Sequence, residues 1–125
     1  MIHHVSVGTN DLARSKRFYD ELLPFVGLAL MAADDSGVGY GSGTMSFSIE
    51  VPHDGEPATV GNGVHIAFAA ENRGMVDAFY AKALELGGIS DGEPGLRPRY
   101  DENYYGAFVR DLDGNKIEAV TYSAK

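Results

Sequence analysis

Over the first residues polar and apolar positions alternate. Val5 and Val7 fall on one face with His3, and His4 and Ser6 on the other, as in a strand with one buried side. The period then becomes helical. Thr9-Asn10-Asp11 offers capping oxygens, and from about Leu12 to Leu23 the residues Leu12, Ala13, Phe18, Tyr19, Leu22 and Leu23 form one apolar stripe, closed by Pro24 and Gly27. Three strand-like runs follow, at about 28–33, 38–40 and 45–51, separated by Asp34-Asp35-Ser36-Gly37 and Gly41-Ser42-Gly43. In the last of them Met45, Phe47, Ile49 and Val51 share one face, and Ser46, Ser48 and Glu50 the other. Pro52 to Asn62, rich in Pro and Gly, reads as a connector.

The pattern then begins again. Gly63 to Ala69 is a short strand carrying His65. The helix after it runs from about Gly74 to Leu86, with Met75, Phe79, Ala83 and Leu86 as its stripe, Glu71-Asn72 at its start and Gly87-Gly88 at its end. His4 and His65, Phe18 and Phe79, Tyr19 and Tyr80, and Gly27 and Gly88 are each 61 positions apart, so a strand and its helix are duplicated, histidine included. Ile89 to Asn103, with Pro94, Pro98, Arg97, Arg99 and Tyr100, is the least regular stretch and reads as a long functional loop. Tyr104–Arg110 and Lys116–Tyr122 then form a hairpin around Asp111-Leu112-Asp113-Gly114-Asn115. Its second strand puts Lys116, Glu118, Val120 and Tyr122 on one face and Ile117, Ala119 and Thr121 on the other.

Composition bounds the function. A chain of 125 residues, 44% hydrophobic and 22% charged, is expected to be one soluble domain, 1–125, with a first module at about 1–52, a connector at about 53–62 and a second module at about 63–125. The net charge of −8 without a Lys/Arg cluster argues against nucleic acid or an anionic membrane as partner. With no cysteine there is no disulfide or thiolate chemistry, which fits a cytoplasmic protein; no export leader or apolar run of spanning length is read either.

Each repeat offers a histidine on its first strand, and Glu50 and Glu118 sit on the last strand of each. If the repeats close side by side, a pseudo-twofold brings the two imidazoles and two carboxylates together, a donor set suited to Zn, Ni, Co, Mn or Fe. Blander readings stand beside this one. His3 is read as a hydrogen-bonded structural residue, Glu50 fits a solvated strand end as well as it fits a ligand, and Glu118 could lie at an exposed edge. Of Tyr104 and Tyr105 only one can face a cavity.

At these residues the chain resembles the vicinal oxygen chelate superfamily, which includes glyoxalase, bleomycin-resistance proteins, fosfomycin-resistance enzymes, methylmalonyl-CoA epimerase and extradiol ring-cleaving dioxygenases. The resemblance runs through His4-Val5-Ser6-Val7, Asp11-Leu12-Ala13-Arg14-Ser15, Phe18-Tyr19 and His65-Ile66-Ala67-Phe68. It ends in Phe108-Val109-Arg110-Asp111-Leu112-Asp113-Gly114-Asn115-Lys116-Ile117-Glu118, where Leu112 replaces the family's usual Pro. It implies an α+β fold of two βαβββ modules forming an open, curved mixed-sheet cup around a divalent metal. His4, His65 and Glu118 match the family's ligands, and Glu50, within Ile49-Glu50-Val51, matches the extra carboxylate of glyoxalase-like members. The expected function is a metal-dependent glyoxalase-like lyase or isomerase acting on a small substrate chelated through adjacent oxygens, with Glu50 and Glu118 as catalytic carboxylates. A ring-cleaving dioxygenase, a resistance-type transferase and a metal-free drug-binding protein are the alternatives. Arg97, Arg99, Tyr100 and Tyr105 are the candidate substrate contacts, with solvated loop charge as the competing reading, and a homodimer is expected because an open cup exposes edges and apolar surface.

Overall fold

The two helices begin where short polar side chains can accept from otherwise unpaired backbone N–H groups. Asp11 Oδ1 accepts from Arg14 N at 3.1 Å, and Asn72 Oδ1 from Met75 N at 2.9 Å. In the computed structural model, which describes all of residues 1–125, the elements are β1 (Val5–Gly8), α1 (Leu12–Leu22), a short 3₁₀ turn (Leu23–Val26), β2 (Ala29–Ala33), β3 (Gly37–Ser42) and β4 (Thr44–Glu50). The second half repeats the order: β5 (Ile66–Ala69), α2 (Arg73–Glu85), β6 (Ile89–Leu96), β7 (Tyr105–Arg110) and β8 (Lys116–Thr121). Gly27, at φ 78°, takes the left-handed conformation that ends the 3₁₀ turn. No helix is long and apolar enough to cross a membrane.

Each half forms one four-stranded mixed sheet, ordered β1-β4-β3-β2 and β5-β8-β7-β6. The first strand of each is parallel to the last, and the other pairs are antiparallel. The fold is therefore α+β, two βαβββ modules with open sheets. Their apolar faces and helices share a core in which Tyr19, Leu22, Tyr40, Ile49, Val76, Phe79, Val109 and Ile117 are fully buried. Phe47 meets Phe68 edge-on, centroids 5.1 Å apart, across the boundary between halves. The β7–β8 turn is tied to the first half by Tyr19 Oη donating to Asp111 Oδ2 at 2.6 Å and Thr9 Oγ1 donating to Asp113 Oδ2 at 2.6 Å. Asn115 Nδ2 adds a bond to the Gly8 carbonyl at 3.0 Å.

The structure departs from the sequence expectation at four places. Ile89–Leu96 is a strand, β6, not a loop. It lies at the sheet edge and its register against β7 shifts twice, between Ser90 and Gly92 and between Gly92 and Gly95. An edge strand tolerates Pro94 and these glycines because one side of it needs no ladder bonds. In β4, Gly41 pairs with Met45 but Tyr40 with Phe47, so Ser46 is an extra residue. That bulge turns Met45 away from the Phe47 face, and it lines a concavity with Ser48 and Glu50. On α2 the buried stripe is Val76, Phe79 and Ala83, while Met75 is 39% exposed. On α1 Ala13 is exposed and Ser15 is buried. The rest of each stripe is as expected, with Phe18, Tyr19, Leu22 and Leu23 buried on the first helix and its 3₁₀ turn and Phe79 and Ala83 buried on the second.

Candidate metal centre and substrate cup

Strand alternation on β8 sends Ile117 and Ala119 into the core and Lys116 and Glu118 to the opposite face. Glu118 is nonetheless 0% exposed. A buried carboxylate is costly unless partnered, and this one is. Tyr104 Oη donates to its Oε2 at 2.5 Å, and His65 Nε2 lies 3.2 Å from its Oε1. Gly106, behind the carboxylate on β7, leaves the room: a Cβ there would lie 2.8 Å from Glu118 Oε2 and 3.2 Å from Tyr104 Cε1. Burial first, and then the hydrogen bond and charge of Glu118, push the Tyr104 phenol well above its ordinary value, so it remains a neutral donor.

This pair opens into a cup of about 560 Å³, lined on its other sides by Phe108 and Lys116 and by β6 and the segment after it. Arg97, Arg99 and Tyr100, the candidate substrate contacts, all line it. Lys116 Nζ and the Arg97 guanidinium sit 5.1 Å and 5.6 Å from the Phe108 ring centroid. Asp91 is held by Arg110 Nε at 2.9 Å and more loosely by Lys116 at 3.7 Å. Three of the chain's ten Lys/Arg therefore line one cup of a protein with net charge −8, against the two carboxylates Asp91 and Glu118, so the lining carries one positive charge in excess, on the side of Arg97 and Arg99.

Tyr105 does not reach the cup. It points to the other face, where its hydroxyl donates to Asp77 of α2 at 2.6 Å and the Arg73 guanidinium covers its ring at 5.2 Å. Tyr104 has the position assigned to Tyr105 from the sequence. Lys116, Phe108 and Tyr122 were also missed as lining residues, although the alternation that places Glu118 places Lys116 and Tyr122 with it.

On the first sheet Ser6 Oγ and Ser48 Oγ are 2.7 Å apart, and Ser48 Oγ donates to Glu50 Oε1 at 3.1 Å. His4 lies just before β1, exposed, its Nδ1 2.8 Å from Nδ1 of His3. Ser6 pairs with Ser48 as Ala67 pairs with Glu118, and residues 6 and 67 are related by the repeat, so Ser48 holds the place of Glu118. Glu50 lies two residues further, roughly 7 Å along the strand. The concavities divide in the same way. Those of about 280 and 640 Å³ on the first sheet are lined by residues between 6 and 53, and the cup by residues between 65 and 122. Within one chain no three His, Asp or Glu side chains converge on one point. His65 and Glu118 come together, while His4 and Glu50 belong to the other face.

The His65–Glu118 pair fits a cation. A nitrogen and an oxygen ligand each roughly 2.0–2.2 Å from one ion, at ordinary angles between about 90° and 110°, stand about 2.8–3.6 Å apart. The observed separation is 3.2 Å.

Comparison with known proteins agrees with this architecture. A crystal structure of a glyoxalase/bleomycin resistance protein from Albidiferax ferrireducens T118 is 44% identical, with a TM-score of 0.87 over 95% of this chain and 96% of that one. A Synechocystis sp. protein named "Probable lactoylglutathione lyase" is 33% identical over 98% of this chain and 95% of its own length. The crystal structure of lactoylglutathione lyase from Agrobacterium tumefaciens, 20% identical with a TM-score of 0.67 over 97% of this chain and 92% of that one, shares the fold. Residues 1–119 match the family model of the glyoxalase/bleomycin resistance protein/dioxygenase superfamily, and the chain belongs to that superfamily.

Proposed function

We propose that the protein is a divalent-metal-dependent lyase or isomerase of the glyoxalase type, acting on a small anionic substrate with two adjacent oxygens. The observation that carries this reading is the His65–Glu118 pair, spaced at 3.2 Å and open to a cup with three cationic side chains. His65 and Glu118 would hold the ion, one of Zn, Ni, Co, Mn or Fe. When bound, it supplies positive charge beside two substrate oxygens and so stabilises negative charge that develops there. Arg97, Arg99 and Lys116 attract and orient an anionic group.

A single chain supplies only part of this site. We propose that a homodimer completes it, the first sheet of one subunit covering the cup of the other, so that His4 and Glu50 of the partner subunit face His65 and Glu118. Glu50 is then the carboxylate that takes a proton from carbon and returns it to the neighbouring carbon. A second reading, metal-free binding of a small molecule, draws support from Glu118 itself, because Tyr104 and His65 already satisfy both of its oxygens.

Calorimetry and thermal shift with each of the five ions, on tag-free protein, separate these readings. With ligand at 100 times Kd, stabilisation of about 2.7 kcal/mol is expected, or a rise of roughly 8–15 °C for a domain of this size. His65→Ala and Glu118→Gln abolish it. A wild-type protein that gains nothing from any ion is a binding module. The reaction in the name of the Synechocystis relative, lactoylglutathione cleavage and formation, is the first activity to assay.

A further inference from the structure

The buried carboxylate of Glu118 has one partner on each oxygen, the Tyr104 hydroxyl on Oε2 and His65 on Oε1. The phenol is fixed in turn. Its ring lies between those of Tyr100 and Tyr122, at centroid distances of 5.0 and 5.2 Å, and Gly106 leaves room for the contact where any larger residue would intrude. Its neighbour Tyr105 is turned to the helix, so one strand step decides which tyrosine serves the cup.

We infer that Tyr104 is a positioning residue: by holding Oε2 it fixes the rotation of the Glu118 carboxylate, so that Oε1 is presented beside His65 Nε2 to the cation. The inference rests on the metal-dependent reading above and names a residue that reading does not need. Without the hydroxyl, Oε2 loses its only side-chain donor and the carboxylate is free to rotate toward His65, closing the gap the ion would occupy. Partners of metal-ligating carboxylates commonly contribute in this way, and their removal weakens metal binding about 10–100-fold.

Tyr104→Phe keeps the ring and its stacking and removes only the hydroxyl. Calorimetric Kd values for Zn²⁺ and Co²⁺ are measured for the wild type, Tyr104→Phe and Tyr105→Phe, with the visible spectrum of the Co²⁺ forms as a second readout. Tyr105→Phe is the control, since it removes a phenol bond of 2.6 Å, to Asp77, outside the cup. The expected result is a Kd raised about 10–100-fold and an altered Co²⁺ spectrum in Tyr104→Phe alone. Wild-type affinity and spectrum in Tyr104→Phe overturn the inference while leaving the metal reading intact. Equal weakening by Tyr105→Phe also overturns it, by showing that the loss comes from general loosening. A wild-type protein that binds neither of these ions nor, in the same calorimetry, Ni²⁺, Mn²⁺ or Fe²⁺ overturns both.

Discussion

Asp111 receives four hydrogen bonds, from Tyr19 Oη, Asn115 Nδ2 and the backbone N–H groups of Asp113 and Asn115, and it lies where the two halves of the chain meet. Burial, followed by the charge of Asp111, pushes the Tyr19 phenol far above its usual range. Burial, followed by the hydrogen bond to Asp20, does the same for Tyr40. Removing the Tyr19 hydroxyl leaves a buried carboxylate one donor short, so Tyr19→Phe is expected to cost about 1–3 kcal/mol in urea unfolding. The raised phenols also fix the sign of the alkaline response. Above the ordinary phenol value of about 10 the unfolded chain loses protons that the folded chain keeps, so stability is complete below that pH and falls as pH rises toward the folded values. Urea midpoints are therefore expected to hold steady from about pH 8 to 9.5 and to drop beyond about 10. The drop should be shallower in Tyr40→Phe; an equal drop in that variant would show that other groups carry the effect.

At the level of elements, what the sequence disclosed was whatever has a period. The duplicated strand and helix were legible because burial on one face repeats every second or every third to fourth residue, and His65 and Glu118 came with them. Register was not legible. Nothing in Met45-Ser46-Phe47 signals the bulge that moves Met45 to the Glu50 side, and only the pairing of Ser6 with Ser48 shows that Glu50 is one pleat beyond the repeat position of Glu118. β6 was hidden because an edge strand can carry Pro and Gly, and the choice between Tyr104 and Tyr105 depended on where β7 begins its alternation. Gly106 became informative only with β8 beside it. Its backbone is not left-handed, so alanine there is a purely steric test. Gly106→Ala is expected to force Glu118 aside and cost about 1–3 kcal/mol, with loss of metal-induced thermal stabilisation. An unchanged metal response would show that the carboxylate has slack the contact distances do not reveal.

The whole molecule presents two faces with complementary deficits. The second sheet holds the buried Glu118 carboxylate against the more exposed His65 in its cup, and the first carries His4 and Glu50 outside that cup. Apolar side chains remain exposed on two of the four edge strands, Leu30 and Met31 at 46% on β2 and Ile89 at 69% on β6, surface that a second copy would cover. The composite site proposed above predicts complementation. In homodimers of His4→Ala, or of His65→Ala, every site lacks a ligand. In a heterodimer one site carries both lesions and the other none. Co-expression in equal amounts, with random pairing, should restore about one quarter of the wild-type tight metal equivalents, since half the dimers are mixed and each has one intact site. Sedimentation and native mass measurement check that the mixed dimer forms. If it forms and no tight site returns, the two faces do not complete one another across subunits, and any metal centre must be built by a rearrangement within one chain.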